Sequence, residues 1–155
     1  MARSDDALRL DQQLCFALYR ASRAVIREYT PLLEPLGLTY LQYLVMLVLW
    51  EHDGLSVREI GHRLALDSGT LTPLLKKLEE QGHVERRRDD ADERVVRIVL
   101  TTRGRAMRSK AREVPMQIAC RAGLDPSDAR ARARLVKLRD ELDALVNGMA
   151  VAPRV

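Results

Sequence analysis

Aromatic side chains are scarce in this 155-residue sequence, which has four tyrosines, one tryptophan and one phenylalanine. Long apolar runs are also missing, because the longest, Leu44 to Trp50, is far too short to cross a bilayer. The N-terminal residues have no apolar segment behind them, so we expect no signal peptide. Leucine is abundant instead, which favours a helical protein, and we predict a soluble, cytoplasmic one.

Only two cysteines are present, Cys15 and Cys120, and in a reducing compartment two do not make a structural framework. Packing as a small buried side chain is the commonest role for a cysteine on an apolar helix face. His52, His62 and His83 are scattered and lack a carboxylate or cysteine at metal-ligand spacing, so we predict solvated or capping roles. We predict no metal, no cofactor and no catalytic residue.

The segment 55–101 has the order of elements that is typical of a winged helix-turn-helix. Ser56 and Glu59 form a capping box that predicts the start of the first helix. A second helix follows, because four leucines recur at i, i+3, i+4 and i+7 and Gly82 supplies a left-handed cap. These leucines are Leu71, Leu74, Leu75 and Leu78.

The face opposite these leucines is polar and suits a helix that approaches base edges. Threonine methyls or a proline ring can touch a thymine methyl, and lysines can reach phosphates. Pro73 lies past the first helical turn, where it removes a backbone hydrogen bond, and the pattern gives no reason for it. The candidate DNA-binding residues of this helix are Ser68, Gly69, Thr70, Thr72, Pro73, Lys76 and Lys77.

A hairpin with a charged tip is predicted next, with strands from Val84 to Asp89 and from Arg94 to Leu100. Arg94 at the tip can enter a narrow minor groove, where the negative potential is deepest, while Asp92 orients its guanidinium. The three consecutive arginines of the first strand alternate faces, so we expect two of them to point at phosphate. The candidate DNA-binding residues of the wing are Arg86, Arg87, Arg88, Asp92 and Arg94.

Positive charge is concentrated around this unit. Between Lys76 and Arg112 there are 12 Lys or Arg against 7 Asp or Glu, a local net charge of +5, whereas the whole chain has +4. A local basic surface fits a DNA footprint. Any single feature also fits a helical domain with a solvated basic hairpin, but the order of the features favours DNA binding. Sequence-indifferent packaging of DNA would instead give steep salt dependence without operator preference.

Helices are predicted on both sides of the winged unit. One long helix runs from about Ala7 to Leu33 with an apolar stripe. The helix from Tyr40 to His52 is apolar nearly all round, as a buried core helix should be. A further helix begins at Thr101 or Thr102 and is interrupted at Pro115.

A last helix, after Asp125, has apolar residues at alternating spacings of three and four, a seam that requires another helix. We predict that this helix and the first build a two-fold dimer interface, the alternative being a helix packed on its own domain. A dimer places two recognition helices in successive major grooves of a near-palindromic operator. The seam residues are Leu135, Leu138, Leu142, Leu145 and Met149.

This arrangement resembles the MarR family of bacterial winged-helix regulators over nearly the full chain. Leu100 to Gly104 (LTTRG) after the wing and Asp92 to Arg94 (DER) at its tip carry the resemblance. Leu14 to Tyr19 (LCFALY), Leu36 to Tyr40 (LGLTY) and Asp67 to Leu75 (DSGTLTPLL) further resemble the organic hydroperoxide sensors called OhrR.

The resemblance implies a mainly α fold with a small β-hairpin wing. The whole chain, 1–155, is then a single MarR-type domain. Dimerisation helices occupy 1–36 and 102–150, and the core helix with the winged DNA-binding unit occupies 39–101.

The resemblance also implies a repressor of a hydroperoxide-detoxifying gene, with Cys15 as the peroxide-reactive thiol and Tyr29 and Tyr40 as its hydrogen-bonding partners. Cys120 stands where some members have a second cysteine that forms a disulfide between subunits. The predicted function is therefore a DNA-binding repressor that leaves its operator when Cys15 is oxidised and bridged to Cys120.

Helix geometry limits how these tyrosines serve Cys15. Tyr29 lies fourteen residues further along the same predicted helix, about 21 Å away at 1.5 Å per residue, so it must come from the other subunit. Tyr40 can do likewise, and Tyr19, one turn after Cys15, can contribute from its own chain. Phenol donors would stabilise the thiolate, and a resolving thiol would protect the sulfenic acid. A bridge to Cys120 requires movement, since the two Cα atoms must come within about 7 Å.

Two other functions stay open. A MarR-type repressor released by a small phenolic or organic-acid ligand would make Cys15 incidental. A thiol peroxidase would use Cys15 and Cys120, but the sequence has no alternating strand-helix pattern for a thioredoxin-like sheet and has a recognition helix that an enzyme would not need. We therefore predict no enzyme, and as partners double-stranded operator DNA, a second copy of the chain and an organic hydroperoxide, without a membrane.

Overall fold

Helices and a small sheet alternate in the computed structural model, which describes residues 7–125 and 127–151. The helices are α1 (Leu14–Leu33), α2 (Tyr40–Glu51), α3 (Val57–Leu64), α4 (Ser68–Glu80), α5 (Thr102–Ala111), α6 (Glu113–Arg121) and α7 (Ala129–Val151). The strands are β1 (Leu55–Ser56), β2 (Val84–Arg88) and β3 (Val96–Leu100). The mainly helical fold with a β-hairpin wing is thus confirmed.

The core forms around α2, which is buried on most of its surface. Thr39 and Gln42 begin this helix as a reciprocal capping box. The Thr39 amide nitrogen lies 2.9 Å from Gln42 Oε1, and the Gln42 amide nitrogen lies 3.4 Å from Thr39 Oγ1. Buried side chains of α3, α4 and β3 pack in the same core, and their residues include Ile60, Leu71, Leu75, Leu78 and Ile98. The single tryptophan, Trp50, donates its indole N–H to the carbonyl of Gly104 at 2.9 Å, which joins α2 to α5.

The sheet has three antiparallel strands in the order β1-β3-β2. Val84 pairs with Leu100 and Arg88 with Val96, so the hairpin predicted from the sequence is present. Strand β1 was not predicted, because two residues are too few for a periodic pattern; Leu55 pairs with Ile98. The second hairpin strand begins at Val96 rather than Arg94, because the Val95 amide bonds back to the Asp92 carbonyl in a turn.

Two predicted helix boundaries are wrong. The first helix begins at Leu14 rather than near Ala7, because Gln13 has an extended backbone and a short 3-10 turn precedes it. The helix after the wing breaks at Arg112, before Pro115, which lies third in α6. A proline in the first helical turn removes no intrahelical hydrogen bond, because that amide has no partner there.

His83 is buried with 2% of its surface exposed, so the predicted solvated or capping role is wrong for it. Its neighbours explain the burial: the His83 carbonyl accepts from the Thr101 amide at 3.1 Å, where α5 crosses the start of β2. Burial, with a smaller contribution from Arg103, lowers the pKa of His83 below its ordinary value of 6.5. The imidazole is therefore neutral at pH 7.

The chain divides into two compact units, one ending at Val114 and the other beginning at Pro115. In the second unit, α7 leaves most of its predicted seam exposed, with Leu138 at 52% and Met149 at 65%. No single helix within 7–125 and 127–151 is long and apolar enough to cross a membrane. Leu14–Leu36 and Tyr40–Glu51 have enough length and apolar composition only when they are taken together, and the pair is bent by 70°.

Candidate nucleic-acid interface and thiol site

The start of α4 is organised by Asp67. Its carboxylate accepts the Thr70 amide at 2.8 Å and the Thr70 hydroxyl at 3.0 Å. Thr72 donates its own hydroxyl to the Ser68 carbonyl at 2.7 Å. The bonds from the Thr70 amide and hydroxyl lower the pKa of Asp67 below its ordinary value. Local hydrogen bonds therefore hold both threonine side chains in fixed orientations.

The outer face of α4 carries every helix residue that the sequence marks as a DNA contact. Leu71, Leu75 and Leu78 point into the core, and the exposed residues are Ser68, Gly69, Thr70, Thr72, Pro73, Lys76 and Lys77. Pro73 lies on this exposed face, and the helix continues past it to Glu80. Because the missing amide falls on the solvent side, the proline removes no hydrogen bond from the core-facing side of the helix.

At the tip of the wing, Asp92 fixes Arg94. The Arg94 guanidinium donates to both carboxylate oxygens of Asp92, at 3.0 and 3.2 Å, as the sequence suggested. These bonds, together with one from the Arg94 amide, lower the pKa of Asp92. The Arg94 side chain remains 90% exposed. It is thus oriented by the protein and open to a partner.

A second pair of side chains, missed by the sequence analysis, holds the base of the wing. Arg97 on β3 donates to Asp89, donates to the Gly54 carbonyl at 3.0 Å and lies 3.9 Å from Glu59 at the start of α3. Asp89 in turn accepts the Ala91 amide at 2.8 Å. The Ala91 amide and then Arg97 lower the pKa of Asp89. Arg97 therefore links the wing turn to the helix-turn-helix.

The three consecutive arginines of β2 differ in their surroundings. Arg86 and Arg88 pair with Ile98 and Val96 and share one face of the sheet, whereas Arg87 is on the other face. Arg86 lies 3.3 Å from Glu79 of α4, and its amide donates to the same carboxylate at 3.1 Å. Arg86 thus ties the wing to α4, while the side chains of Arg87 and Arg88 are exposed.

Arg97→Met is expected to weaken DNA binding about tenfold, as loss of a DNA-contacting arginine would. The reason is that Arg97 holds the turn that carries Arg94. A double variant with Arg94→Ala should therefore lose little beyond either single change, because coupled residues are not additive. Affinities measured by fluorescence anisotropy on one operator would check this, with Arg112→Met as a control for loss of a positive charge. Additive losses in the double variant would contradict the expectation.

The thiol of Cys15 is exposed near the start of α1 and forms no disulfide. Tyr19, one turn later, is 57% exposed, and Arg23 lies over its ring. Tyr29 is on the same helix as Cys15, as predicted, and the fourteen positions that separate them along α1 keep them about 21 Å apart within one chain. The structure does not bring this tyrosine to the thiol of its own subunit.

Tyr29 instead joins a tyrosine cluster with Tyr40 and Tyr43. The ring centroids lie 4.9 Å apart for Tyr29 and Tyr40, and 5.7 Å apart for Tyr29 and Tyr43. Burial raises the pKa of Tyr40, and burial together with the nearby Tyr40 raises the pKa of Tyr29. Burial also raises the pKa of Tyr43, to about 12. The phenols therefore stay protonated near neutral pH and are hydrogen-bond donors. Tyr43 was missed because its position in a uniformly apolar helix predicts only a buried packing role.

Other polar side chains offer little chemistry. His52 and His62 are exposed. Within 7–125 and 127–151, no three His, Cys, Asp or Glu side chains are grouped so as to hold a metal ion. An open groove lies beside the tyrosine cluster, lined among others by Ile26 of α1, Tyr40 of α2, and Lys77 and Gln81 of α4.

Comparison with known proteins gives the same fold and close relatives. Residues 27–111 match the family model "Transcriptional regulator SarA/Rot". The chain is 54% identical over 141 residues to the HTH-type transcriptional regulator TtmR of Methylorubrum extorquens (strain PA1), covering 90% of this chain and 72% of that protein. It is 50% identical over 110 residues to the organic hydroperoxide resistance transcriptional regulator of Bacillus subtilis (strain 168), covering 71% and 75%.

Among solved structures, AbfR of Staphylococcus epidermidis is similar over most of its length. Its reduced form bound to DNA has a TM-score of 0.78 and 33% identity, covering 96% of this chain and 99% of that one. Its disulfide-formed structure has a TM-score of 0.66 and 33% identity, covering 96% and 97%. Both DNA-bound and disulfide-formed structures are thus known for a protein with a similar fold.

Proposed function

Because this chain belongs to the SarA/Rot family of MarR-like winged-helix transcriptional regulators, we propose that it is a repressor released from its operator by organic hydroperoxides. The observation that carries the proposal is the exposed, unbridged thiol of Cys15 on α1. The name of the Bacillus subtilis relative and the reduced and disulfide-formed structures of AbfR support it. No enzymatic turnover is needed for this function.

The DNA-binding surface consists of the outer face of α4 and the wing. α4 enters the major groove, where its first turns meet base edges, and its lysines contact phosphates. Arg94, held by Asp92 and 90% exposed, enters the minor groove. Arg88 contacts a phosphate beside it, whereas Arg87 lies on the other face of the hairpin and pairs with Glu85. The structure of reduced AbfR bound to DNA supports DNA binding by a protein of this fold.

The functional unit is a two-fold dimer. Both α1 and α7 expose apolar side chains, including Leu14 at 57% and Leu138 at 52%, and exposed apolar surface of this kind marks a protein–protein contact. Antiparallel pairing of two α1 helices places Tyr29 and Tyr40 of one subunit near Cys15 of the other. Their protonated hydroxyls then donate to the sulfur and stabilise the thiolate.

Oxidation proceeds in two steps. The Cys15 thiolate attacks a peroxide oxygen, the O–O bond breaks, the hydroperoxide is reduced to an alcohol, and the sulfur becomes a sulfenic acid. The thiol of Cys120 then attacks this sulfur, water leaves, and a disulfide joins the subunits. A bridge requires Cα atoms within about 7 Å, so helix movement accompanies it and changes the spacing of the two winged units. The apolar neighbours Leu14, Phe16 and Leu18 favour a hydroperoxide with an apolar tail.

The direct test is binding of the reduced protein to the DNA upstream of its own gene, before and after one equivalent of cumene hydroperoxide. A non-reducing gel is run on the same samples. We expect release of DNA together with a dimer-sized band, and both should be reversed by dithiothreitol. Binding that survives the oxidant would refute the redox switch.

A second candidate function is supported by the groove beside the tyrosine cluster. It joins an apolar side chain, Ile26, to the ammonium of Lys77 and the phenol of Tyr40, a combination that suits a small phenolic or organic acid. A repressor released by such a ligand would dissociate from DNA on addition of the acid under reducing conditions. Its DNA binding would not change on addition of the hydroperoxide.

A further inference from the structure

Two threonine hydroxyls on the recognition helix α4 already donate their protons within the protein. Thr70 Oγ1 lies 3.0 Å from Asp67 Oδ2, and Thr72 Oγ1 lies 2.7 Å from the carbonyl oxygen of Ser68. An ionised carboxylate and a carbonyl oxygen can only accept, so the direction of both bonds follows from the chemistry of the partner. Each hydroxyl oxygen retains lone pairs. Toward DNA, both hydroxyls are therefore acceptors.

Asp67 keeps this polarity in place at Thr70. Its two oxygens are occupied by the amide and the hydroxyl of the same residue, and these two bonds lower its pKa, so the carboxylate stays charged. Turning the Thr70 hydroxyl toward a base would break a charge-assisted hydrogen bond, which is about twice as strong as a neutral one. At Thr72 the equivalent bond is the common one from a helical threonine to the carbonyl four residues earlier.

The rest of the outer face is also poor in donors. Gly69 has no side chain, Pro73 has no N–H, and α4 contains no arginine, the residue that most often reads guanine. Lys76 and Lys77 lie beyond the first two turns, and Lys77 is 3.6 Å from Glu80. The Ser68 hydroxyl makes no hydrogen bond within the described part of the chain. Among the side chains of the first turns, Ser68 is therefore the one that can donate a hydrogen bond to a base.

Resting on the DNA-binding function proposed above, we propose that Thr70 and Thr72 are specificity-determining acceptors that select exocyclic amines of adenine or cytosine in the major groove. Guanine N7 and O6 and thymine O4 are rejected opposite these hydroxyls, because two acceptors would face each other unpaired. The Thr72 methyl and the Pro73 ring add contacts to thymine methyls. Asp67 is the positioning residue that sets the polarity of Thr70.

Asp67→Asn provides a sharp test, because it inverts the polarity of Thr70 with little change of shape. Asparagine is an equally good helix cap, and its carbonyl still accepts the Thr70 amide. Its Nδ2 now donates to Thr70 Oγ1, which turns the hydroxyl proton outward. The full-length reduced protein would be used to select binding sites from randomised duplex DNA.

Wild type should enrich adenine or cytosine opposite both threonines. Asp67→Asn should favour guanine or thymine opposite Thr70 by about tenfold in relative affinity over cytosine, which offers no acceptor in the major groove. Asp90→Asn in the exposed wing turn removes the same charge and should leave the preference unchanged. An unchanged preference in Asp67→Asn, or guanine enriched by wild type opposite both threonines, would overturn the proposal.

Base analogues test the same proposal on wild-type protein, whether or not the variant folds. Purine in place of a contacted adenine lacks the amine and should weaken binding about tenfold, the cost of one mismatched base pair. 7-Deazaadenine lacks only the N7 acceptor and should bind as adenine does, and the reverse result would refute acceptor readout. If wild type enriches no sequence at all, the proposed regulatory function fails instead, which is a distinguishable result.

Discussion

The Cys15→Ser variant is expected to stay bound to its operator at a dose of organic hydroperoxide that releases the wild-type protein. Serine retains the size and polarity of the side chain, but its hydroxyl has no thiolate to attack a peroxide. Wild-type affinity should fall about 100-fold on oxidation, a typical allosteric coupling, whereas the affinity of Cys15→Ser should stay constant. Because Cys15 lies on α1, away from α4 and the wing in sequence, the reduced variant should bind DNA as wild type does.

Cys120→Ser is the matched control for this experiment. Its Cys15 still reacts, so the hydroperoxide is consumed and a sulfenic acid forms, but no dimer-sized band should appear on a non-reducing gel. Mass spectrometry of the Cys15 peptide would show oxygen addition in Cys120→Ser. Release of Cys15→Ser from DNA by the hydroperoxide would assign sensing to another residue.

Gly104→Ala is expected to destabilise the fold by about 3 kcal/mol, at the upper end of typical overpacking costs. A Cβ at this position would lie 2.0 Å from the His83 carbonyl oxygen and 3.3 Å from a Leu100 methyl. The obstacle is backbone, which also accepts the Thr101 amide at 3.1 Å, so it cannot move aside without breaking the junction of β2 and α5. Urea unfolding at one protein concentration would measure the loss.

The control for Gly104→Ala is Ala106→Gly, two residues along the same helix. Ala106 is exposed, so this change costs only helix propensity, about 1 kcal/mol. Propensity alone would make Gly104→Ala stabilising by a similar amount. If Gly104→Ala instead stabilised the fold, as helix propensity alone predicts, the close approach of α5 to His83 would be absent in solution.

Features that depend on three or four neighbouring residues could be predicted from the sequence. The capping boxes at Ser56 and Thr39 need only a hydroxyl and a Glu or Gln three residues later, and both form. The hairpin and the Arg94–Asp92 pair are equally local. Burial of His83, by contrast, depends on contact with Thr101 and Gly104, which follow the hairpin in the sequence. The residues next to His83 do not predict this burial, because a polar side chain beside Gly82 is typical of an exposed turn.

Contacts between distant segments also explain the residues that were missed. Arg97 reads as one more basic wing residue, yet it reaches the Gly54 carbonyl, forty-three positions away. Strand β1 exists only because β3 offers it an edge. Resemblance to known sensors predicts Cys15 as the reactive thiol, and the tyrosine partners proposed for it would come from a second chain, whose placement no pattern within one chain can specify.

The bond between the Trp50 indole and the Gly104 carbonyl gives the molecule an optical probe of its own. Trp50 is the only tryptophan of the chain, 8% exposed, with its N–H 2.9 Å from that carbonyl oxygen. Indole fluorescence responds to the polarity around the ring and to the partner of its N–H. All the ultraviolet-excited tryptophan emission therefore reports on one place, the junction of the core helix with the helix behind the wing. Rearrangement there is readable in stopped flow without a label.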